Sequence, residues 1–251
     1  MLQLLMPRRQ VSSERGTQLF IYIVVPAYNE ARKISGVIAD LHNHGYRDIV
    51  VVDDHSTDNT AAIARRHDTI VVRHSKNKGQ GGALRTGIRV ALERGAKIIV
   101  TFDGDGQHRA KEIADLVAPV ASGEVDVALG SRFLGKAVGI QKRKWVTLKV
   151  SIIVERLLLG IHLTDVHNGF RALSRHAAET IEITCDDMAH ASEIVAEIHD
   201  HKLRYVEVPV TILYDEYVKH KGQSIFNSFR ILRELLDMKR RRRESNYSTA
   251  G

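Results

Sequence analysis

The chain has 251 residues, 43% of them hydrophobic and 27% charged, a composition that can bury the core of one large domain or two small ones. Its single cysteine, Cys185, excludes an internal disulfide framework and favours a reducing, cytoplasmic setting. No apolar run reaches the roughly 18 residues of a membrane span, and the net charge of +7 calls for an anionic partner: nucleic acid, phosphorylated substrate or acidic membrane surface.

Residues 1–17 read as a loose basic leader without the apolar centre of a secretory signal. Ile21–Val25 is a buried strand that Pro26 should stop. Ile34, Val37, Ile38 and Leu41 then recur at helical spacing, and Gly45 ends that helix. A second strand, Ile49–Val52, runs into Asp53 and Asp54, with Ser56 or Thr57 placed to cap a helix over Ala61–Arg66. Ile70–Val72 leads to Lys76–Gly82, whose glycines lack the spacing of either phosphate-loop pattern. We read that stretch as a flexible basic loop that admits a nucleotide, with Lys78 near its phosphates. A helix through Ala83, Leu84, Ile88 and Leu92 follows.

The strand Ile98–Phe102 organises the rest. It ends in Asp103-Gly104-Asp105-Gly106-Gln107-His108. Two carboxylates one residue apart face the same side of an extended backbone. Such hard oxygen donors suit Mg2+ or Mn2+, which keep coordination positions open for phosphate. A helix over Glu112–Val120 and a strand over Val125–Leu129 come next. Strands alternating with helices imply an α/β fold: a Rossmann-like, mostly parallel sheet with helices on both faces and ligands beyond the strands' carboxyl ends. Asp53/Asp54, Lys76–Gly82 and Asp103/Asp105 then share one rim.

Six segments in this order, VVPAYNE (24–30), VVDDHSTDNT (51–60), NKGQGGALRTG (77–87), DGDGQH (103–108), GSRF (130–133) and TDVHNGFRALSR (164–175), resemble family 2 glycosyltransferases of the GT-A fold. The last resembles the branch of dolichyl-phosphate-mannose synthases and bacterial polyprenyl-phosphate glycosyltransferases. The likeness covers roughly residues 20–225 and departs at His55, where the family more often has a small residue. It implies a UDP- or GDP-linked sugar donor bound by Pro26, Tyr28, Glu30, Asp53 or Asp54, and Asp103. It implies a metal on Asp103, Asp105 and Gln107, an acceptor phosphate on Arg132, and inversion at the anomeric carbon. A phosphate acceptor is already anionic and needs no base; an alcohol acceptor would need one, from Asp165, Asp187 or Glu193. Arg171 either binds an anion or braces the sheet.

Residues 137–161 change character. Lys142, Arg143 and Lys144 with Thr147 resemble the branch's acceptor site, Arg143 being the chosen member. The helix beyond is apolar on two arcs, one through Val146, Val150 and Ile153, the other through Trp145, Leu148 and Ile152, with Lys149 and Arg156 between. Such a helix can pack on its own protein and dip into a membrane interface. Glu193–His199 is helical, and Tyr205–Val210 is an edge strand by its Pro209. His220 and Lys221 fall in a loop that resembles the branch's phosphate-closing loop. An amphipathic helix at 224–243 ends in the basic run Lys239–Arg243, which fits an anionic membrane surface, and 244–251 should be disordered. No aromatic stacking surface or binding motif points to nucleic acid.

The expectation is therefore a metal-dependent transferase working peripherally at the inner face of the membrane on a polyprenyl phosphate. A soluble transferase acting on an alcohol, and a non-catalytic membrane adaptor, are the rivals. A homo-oligomer is left open.

Overall fold

The computed structural model describes residues 20–159, 162–187 and 189–215. The leader at 1–17, His220, Lys221, the helix at 224–243 and the tail lie outside them.

Strands β1 (Ile21–Ala27), β2 (Ile49–Asp53), β3 (Ile70–Arg73) and β4 (Ile98–Thr101) pair in parallel, with β1 between β2 and β4. Beyond β4, β6 (Arg171–Ser174) runs antiparallel to both β4 and β5 (Val127–Val138), and β7 (Tyr205–Leu213) adds parallel to β5. The sheet order is β3-β2-β1-β4-β6-β5-β7. Helices α1 (Ile34–Asn43), α2 (Thr60–Ala64), α3 (Gly79–Glu93) and α4 (Ile113–Ala121) connect the parallel strands in turn, α4 entered by a 3-10 turn at Ala110–Glu112. Helices α5 (Lys142–Leu159), α6 (Arg175–Thr180) and α7 (His190–Asp200) complete the described chain. Among the described residues no helix is long and apolar enough to cross a membrane.

The sheet is buried on both faces, which is why its strands read as unbroken apolar runs rather than as alternation. Ile23, Val25 and Ala27 turn towards α1 and α4, where Ile34, Ile38, Leu41, Ile113 and Leu116 meet them. Tyr22 and Val24 turn the other way, to Leu84, Ile88 and Ala91 of α3 and Ile194 and Ile198 of α7. Each fully buried Ile or Leu here contributes about 1.5–3 kcal/mol. The mostly parallel, two-faced α/β sheet is the expected fold class.

Several boundaries moved. Pro26 does not stop β1, which runs on to Ala27 paired with Asp53. Phe102 donates to the Val24 carbonyl, so Pro26, two residues on, faces the side where β4 has already ended and no ladder donor is required. α2 begins at Thr60 without Ser56 or Thr57 as cap: the Ser56 hydroxyl accepts from Asn29 N–H, and Asp58 accepts from Thr60. β5 is longer than expected and carries Gly130–Phe133 inside a strand. β7 likewise passes Pro209 and lies at the sheet's edge, as the proline required. Opposite Pro209 the ladder slips: β7 advances from Pro209 to Thr211 while β5 advances from Ser131 to Lys136.

Candidate active site

The carboxyl ends of β1, β2 and β4 open on one rim, joined there by the N-terminus of α3, the loop before β6 and the end of β7. At the centre stands the turn after β4. Gln107 N–H donates to Asp105 Oδ1 at 3.0 Å, and Gly106 takes φ 78°, a left-handed position that glycine fills without strain. Gly104 lies so close to β1 that a Cβ there would come within 3.0 Å of the Pro26 carbonyl.

Asp103 is held from both sides. Gln80 Nε2 donates to its Oδ1 and His108 Nε2 to its Oδ2, each at 3.0 Å. The His108 ring packs against Phe102 and Phe170, with centroids 5.3 and 4.9 Å away, and its Nδ1 is buried without a partner. Gly169 closes the floor, since a Cβ there would come 2.8 Å from Asp103 Oδ2. Burial works to raise the Asp103 carboxyl, but His108, joined by His190 and Arg171, outweighs it and holds the group below the usual carboxylate range. For Asp105 the balance falls the other way: burial, then the charge of Asp103, push it up to about 6 against the opposing pull of His108 and the Gln107 N–H. His190, at the start of α7, is pushed down to about 4 by burial and is neutral near pH 7.

Gln107 is pinned to β7, its Nε2 donating to the Leu213 carbonyl at 3.1 Å and its own carbonyl accepting from Leu213 N–H at 3.0 Å. With the amide nitrogen so used, its side-chain oxygen is the atom suited to a cation. Among the described residues no group of three or more His, Cys, Asp or Glu side chains forms a metal cage. Asp103 and Asp105 nevertheless fit a divalent ion that takes its other ligands from water and phosphate, because Asp105 is a half-buried carboxylate raised by the charge of the one beside it.

The glycine run after β3 is not a flexible loop. Gly79, Gly81 and Gly82 form the first turn of α3. Side chains at Gly79 and Gly81 would strike the carbonyls of Asp186 and Cys185, so these glycines let residues 185–187 lie directly on the helix. Gly81 N–H donates to the Asp186 carbonyl at 2.7 Å. Lys78 caps the helix start, its N–H donating to Asp54 at 2.8 Å.

Neither Asp53 nor Asp54 presents a carboxylate to solvent. Asp53 faces Arg73 at 3.0 Å and accepts from Ser56 N–H, whereas Asp54 binds His74 Nδ1 at 2.6 Å, and His74 Nε2 meets Thr86. Glu30 is buried, its N–H donating to Thr60, and Pro26 lies within β1. Tyr28 is 44% exposed. His55, the departure noted in the sequence, takes φ 64°, which explains why small residues suit that place.

A second cluster forms where β5, α5 and β7 meet. Arg132 is buried, its Nε donating to Asp165 Oδ2 at 2.6 Å and an Nη to the Tyr214 hydroxyl at 2.5 Å. Burial opposes its charge, but Asp165 and Tyr214 more than offset that. Lys144 is half-buried with its ammonium 4.8 Å from the Tyr214 ring centroid. Burial, then the charge of Arg132, lower it, and Asp105 pulls the other way, so the two clusters share one electrostatic neighbourhood. Arg143 is exposed; Lys144 is the member of the basic trio that turns inward. Lys149 lies over the rings of Phe133 and Trp145, at 4.3 and 5.5 Å.

Of the three carboxylates that could serve as a base, Asp165 is taken by Arg132. Glu193 is buried and accepts from Thr184 and Cys185. Asp187 is exposed beside Gly79. Arg171 is buried and donates to the Val166 carbonyl, a brace between loops. Sequence reasoning gave no role to Gln80, His108 and Tyr214, and within the basic trio it preferred Arg143 to Lys144; for Gln80 and His108 the signal was their place inside the quoted motifs.

Comparison with known proteins identifies the family and the fold. The family model described as glycosyl transferase family 2 matches residues 22–182. The chain belongs to that family. It is a glycosyltransferase with a GT-A fold. A relative from Methanococcus voltae, UDP-N-acetylglucosamine–dolichyl-phosphate N-acetylglucosaminyltransferase, is 33% identical over 87% of this chain and 96% of its own. Polyprenol monophosphomannose synthase of Mycolicibacterium smegmatis is 30% identical over 75% of this chain and 76% of its own. Among solved structures, glucosyl-3-phosphoglycerate synthase of Mycobacterium tuberculosis, in complex with Mn2+, UDP and glucosyl-3-phosphoglycerate, superposes with a TM-score of 0.67 at 19% identity, covering 87% of this chain and 77% of that one.

Proposed function

We propose that this glycosyltransferase moves a sugar from a nucleotide donor to a polyprenyl phosphate, with inversion, at the cytoplasmic membrane surface. The observation that carries the reading is the buried Arg132, fixed by Asp165 and Tyr214 beside the Asp103–Asp105 turn. A planar guanidinium held in one orientation suits a phosphate oxygen pair. Two relatives whose names specify dolichyl-phosphate or polyprenol acceptors, with different sugars, support the acceptor class and leave the sugar open.

Asp103, oriented by Gln80 and His108, together with Asp105 and Gln107, would hold Mg2+ or Mn2+. The ion would supply Lewis-acid stabilisation to the departing nucleoside diphosphate. Tyr28 would face the base and ribose, with Lys78 at the mouth of α3 near the phosphates. The acceptor's phosphate oxygen attacks the anomeric carbon as the bond to the diphosphate breaks. That oxygen carries its charge before reaction, so no side chain has to take a proton. The engagement of Asp165 and Glu193 with protein donors supports this reading.

Membrane contact is supported by exposed apolar side chains: Val146, Val150 and Ile153 on α5, and Leu134 and Val138 on β5.

The test is transfer of radiolabelled sugar from a panel of nucleotide donors to polyprenyl phosphate in detergent. Label in the organic phase that disappears with EDTA is expected. Metal-dependent nucleotide binding without lipid label, but with transfer to alcohols, would move the acceptor to the second class and give Asp187 the base's role.

A further inference from the structure

Where the ladder between β5 and β7 slips, Arg132–Gly135 form a bulge that the fold is built to hold. The Ser131 hydroxyl accepts from the Phe133 and Leu134 N–H groups and meets Thr164 Oγ1 at 2.6 Å, in place of the ladder bonds lost there. Gly135 lies directly on β7, since a Cβ there would come 2.2 Å from the Val210 carbonyl oxygen. Between the bulge, β7 and the 3-10 turn before α4 runs an open groove of about 590 Å3. Arg109, Lys111 and Lys136 line it, whereas Asp103, Asp105, Arg132, Lys144 and Tyr214 do not. Among the described residues Arg109, Lys111 and Lys136 have no carboxylate partner. The acid in the lining, Glu112, is tied to Thr211 N–H at 2.9 Å. Three like charges around one concavity concentrate positive potential in it. Leu134 and Val138, each 48% exposed, alternate with the exposed Lys136 along β5 and give the groove an apolar flank.

We propose that this groove is a headgroup site for an anionic phospholipid, separate from the donor and acceptor sites. The lipid's phosphate lies among Arg109, Lys111 and Lys136, and its acyl chains leave along Leu134 and Val138. A free phosphate would satisfy the cations but leave the apolar flank in water. A neutral apolar ligand would cover the flank and leave the charge uncompensated. An anionic head on a hydrocarbon chain meets both demands. Shortly beyond Val138, α5 presents Val146, Val150 and Ile153 outward, so a lipid held in the groove would fix how that apolar surface meets the bilayer. The inference rests on the membrane contact proposed above and adds a discrete site, which that contact does not require.

The experiment titrates the full chain with three probes: vesicles of phosphatidylcholine and phosphatidylglycerol, monomeric dihexanoyl phosphatidylglycerol, and inorganic phosphate. Arg109→Gln/Lys111→Gln/Lys136→Gln should weaken binding to the vesicles and to the monomeric lipid about tenfold or more, each cation near an anionic surface being worth on the order of fivefold. Mn2+–UDP affinity should stay within about twofold, because the groove lies outside the donor site. Arg65→Gln/Arg66→Gln removes exposed charge at the end of α2, beside the opposite edge strand β3, and should change lipid binding by less than about threefold. Similar losses in the two variants would mean diffuse attraction and overturn the site, as would unchanged lipid affinity in the triple variant. Inorganic phosphate bound as tightly as the monomeric lipid would make the groove a site for a free anion and overturn the lipid. A wild-type chain that holds the monomeric lipid through Arg109, Lys111 and Lys136 but ignores vesicles overturns the membrane contact and keeps the site. Full vesicle binding by the triple variant does the reverse.

Discussion

The rim at β1, β2 and β4 and the cluster at β5, α5 and β7 are built on opposite principles. On the first, the aspartates are tied to protein donors: Asp54 to His74, Asp53 to Ser56, Asp103 to Gln80 and His108, Asp105 to the Gln107 N–H. The second buries only its root, Arg132 with Asp165 and Tyr214, and ends in apolar side chains that face outward, with Val146 and Ile153 each 58% exposed. A rim finished by the sheet is preformed for a soluble ligand. A cluster finished by outward apolar surface is completed, under the proposed function, by the membrane.

Asp105 tests that contrast hardest. Asp105→Asn should lower transfer about a thousandfold or more, since it removes a cation ligand from the step that releases the diphosphate. The metal-free chain should respond the other way. The folded-state carboxyl is raised to about 6, so its ionisation costs stability as pH rises from the unfolded value of 3.8. Asp105→Asn should therefore raise the metal-free Tm at pH 7.5, by the equivalent of about 1–3 kcal/mol, and the gain should vanish below about pH 4. Mn2+ affinity of the wild type should fall by up to about tenfold per unit as pH drops below 6, the proton competing for one ligand. Equal melting of the two chains at pH 7.5 would remove the strain that Asp103 and partial burial put on the Asp105 carboxylate.

Arg132 comes next in size. Removing it alone would strand Asp165 in the core, at about 3–5 kcal/mol, and confuse folding with binding. The Arg132→Met/Asp165→Asn double variant avoids that. It should lose lipid-phosphate transfer about a hundredfold while holding Mn2+–UDP with unchanged Kd. Parallel loss of nucleotide binding would place Arg132 with the donor and dissolve the distinction between the two regions.

The first region was legible because its chemistry is local. Asp103, Asp105, Gln107 and His108 are within six residues of one another, and the parallel sheet brings three strand ends together by rule. What the sequence hid was how that polar chemistry is satisfied. Asp53 and Asp54 read as ligand contacts because only tertiary pairing with Arg73 and His74 shows them occupied. Lys76–Gly82 read as a mobile loop because composition cannot distinguish glycine for freedom from glycine for close approach. The second region is drawn from positions 132, 144, 165 and 214, with no shared period or spacing. Choosing Arg143 over Lys144 required the helix phase, and that depends on which apolar arc packs inward.

Two glycines sharpen the point about close approach. Gly81→Ala would drive a methyl group into the Cys185 carbonyl and against His190, and should cost about 2 kcal/mol or more. Gly36→Ala, in α1 with nothing within 4 Å, should gain about 0.5–1 kcal/mol from helix propensity alone. Thermal melts of both variants decide it. A neutral Gly81→Ala would mean that residues 185–187 do not rest on α3.

The smallest effect on the fold should come from the outward arc of α5. Val146, Val150 and Ile153 are more than half exposed, so replacing all of them with Glu removes little buried area and should move Tm by no more than a degree or two. Mn2+–UDP binding, on the other region, should not change. Binding to vesicles containing anionic lipid should weaken about tenfold or more, because apolar insertion is lost and negative charge faces a negative surface. Transfer to a soluble short-chain phosphate should survive while transfer to vesicle-borne polyprenyl phosphate falls. If instead the variant melts well below the wild type, the arc is covered by protein, from a second copy or from the chain beyond residue 215. The outward surface would then be an interface rather than a membrane contact.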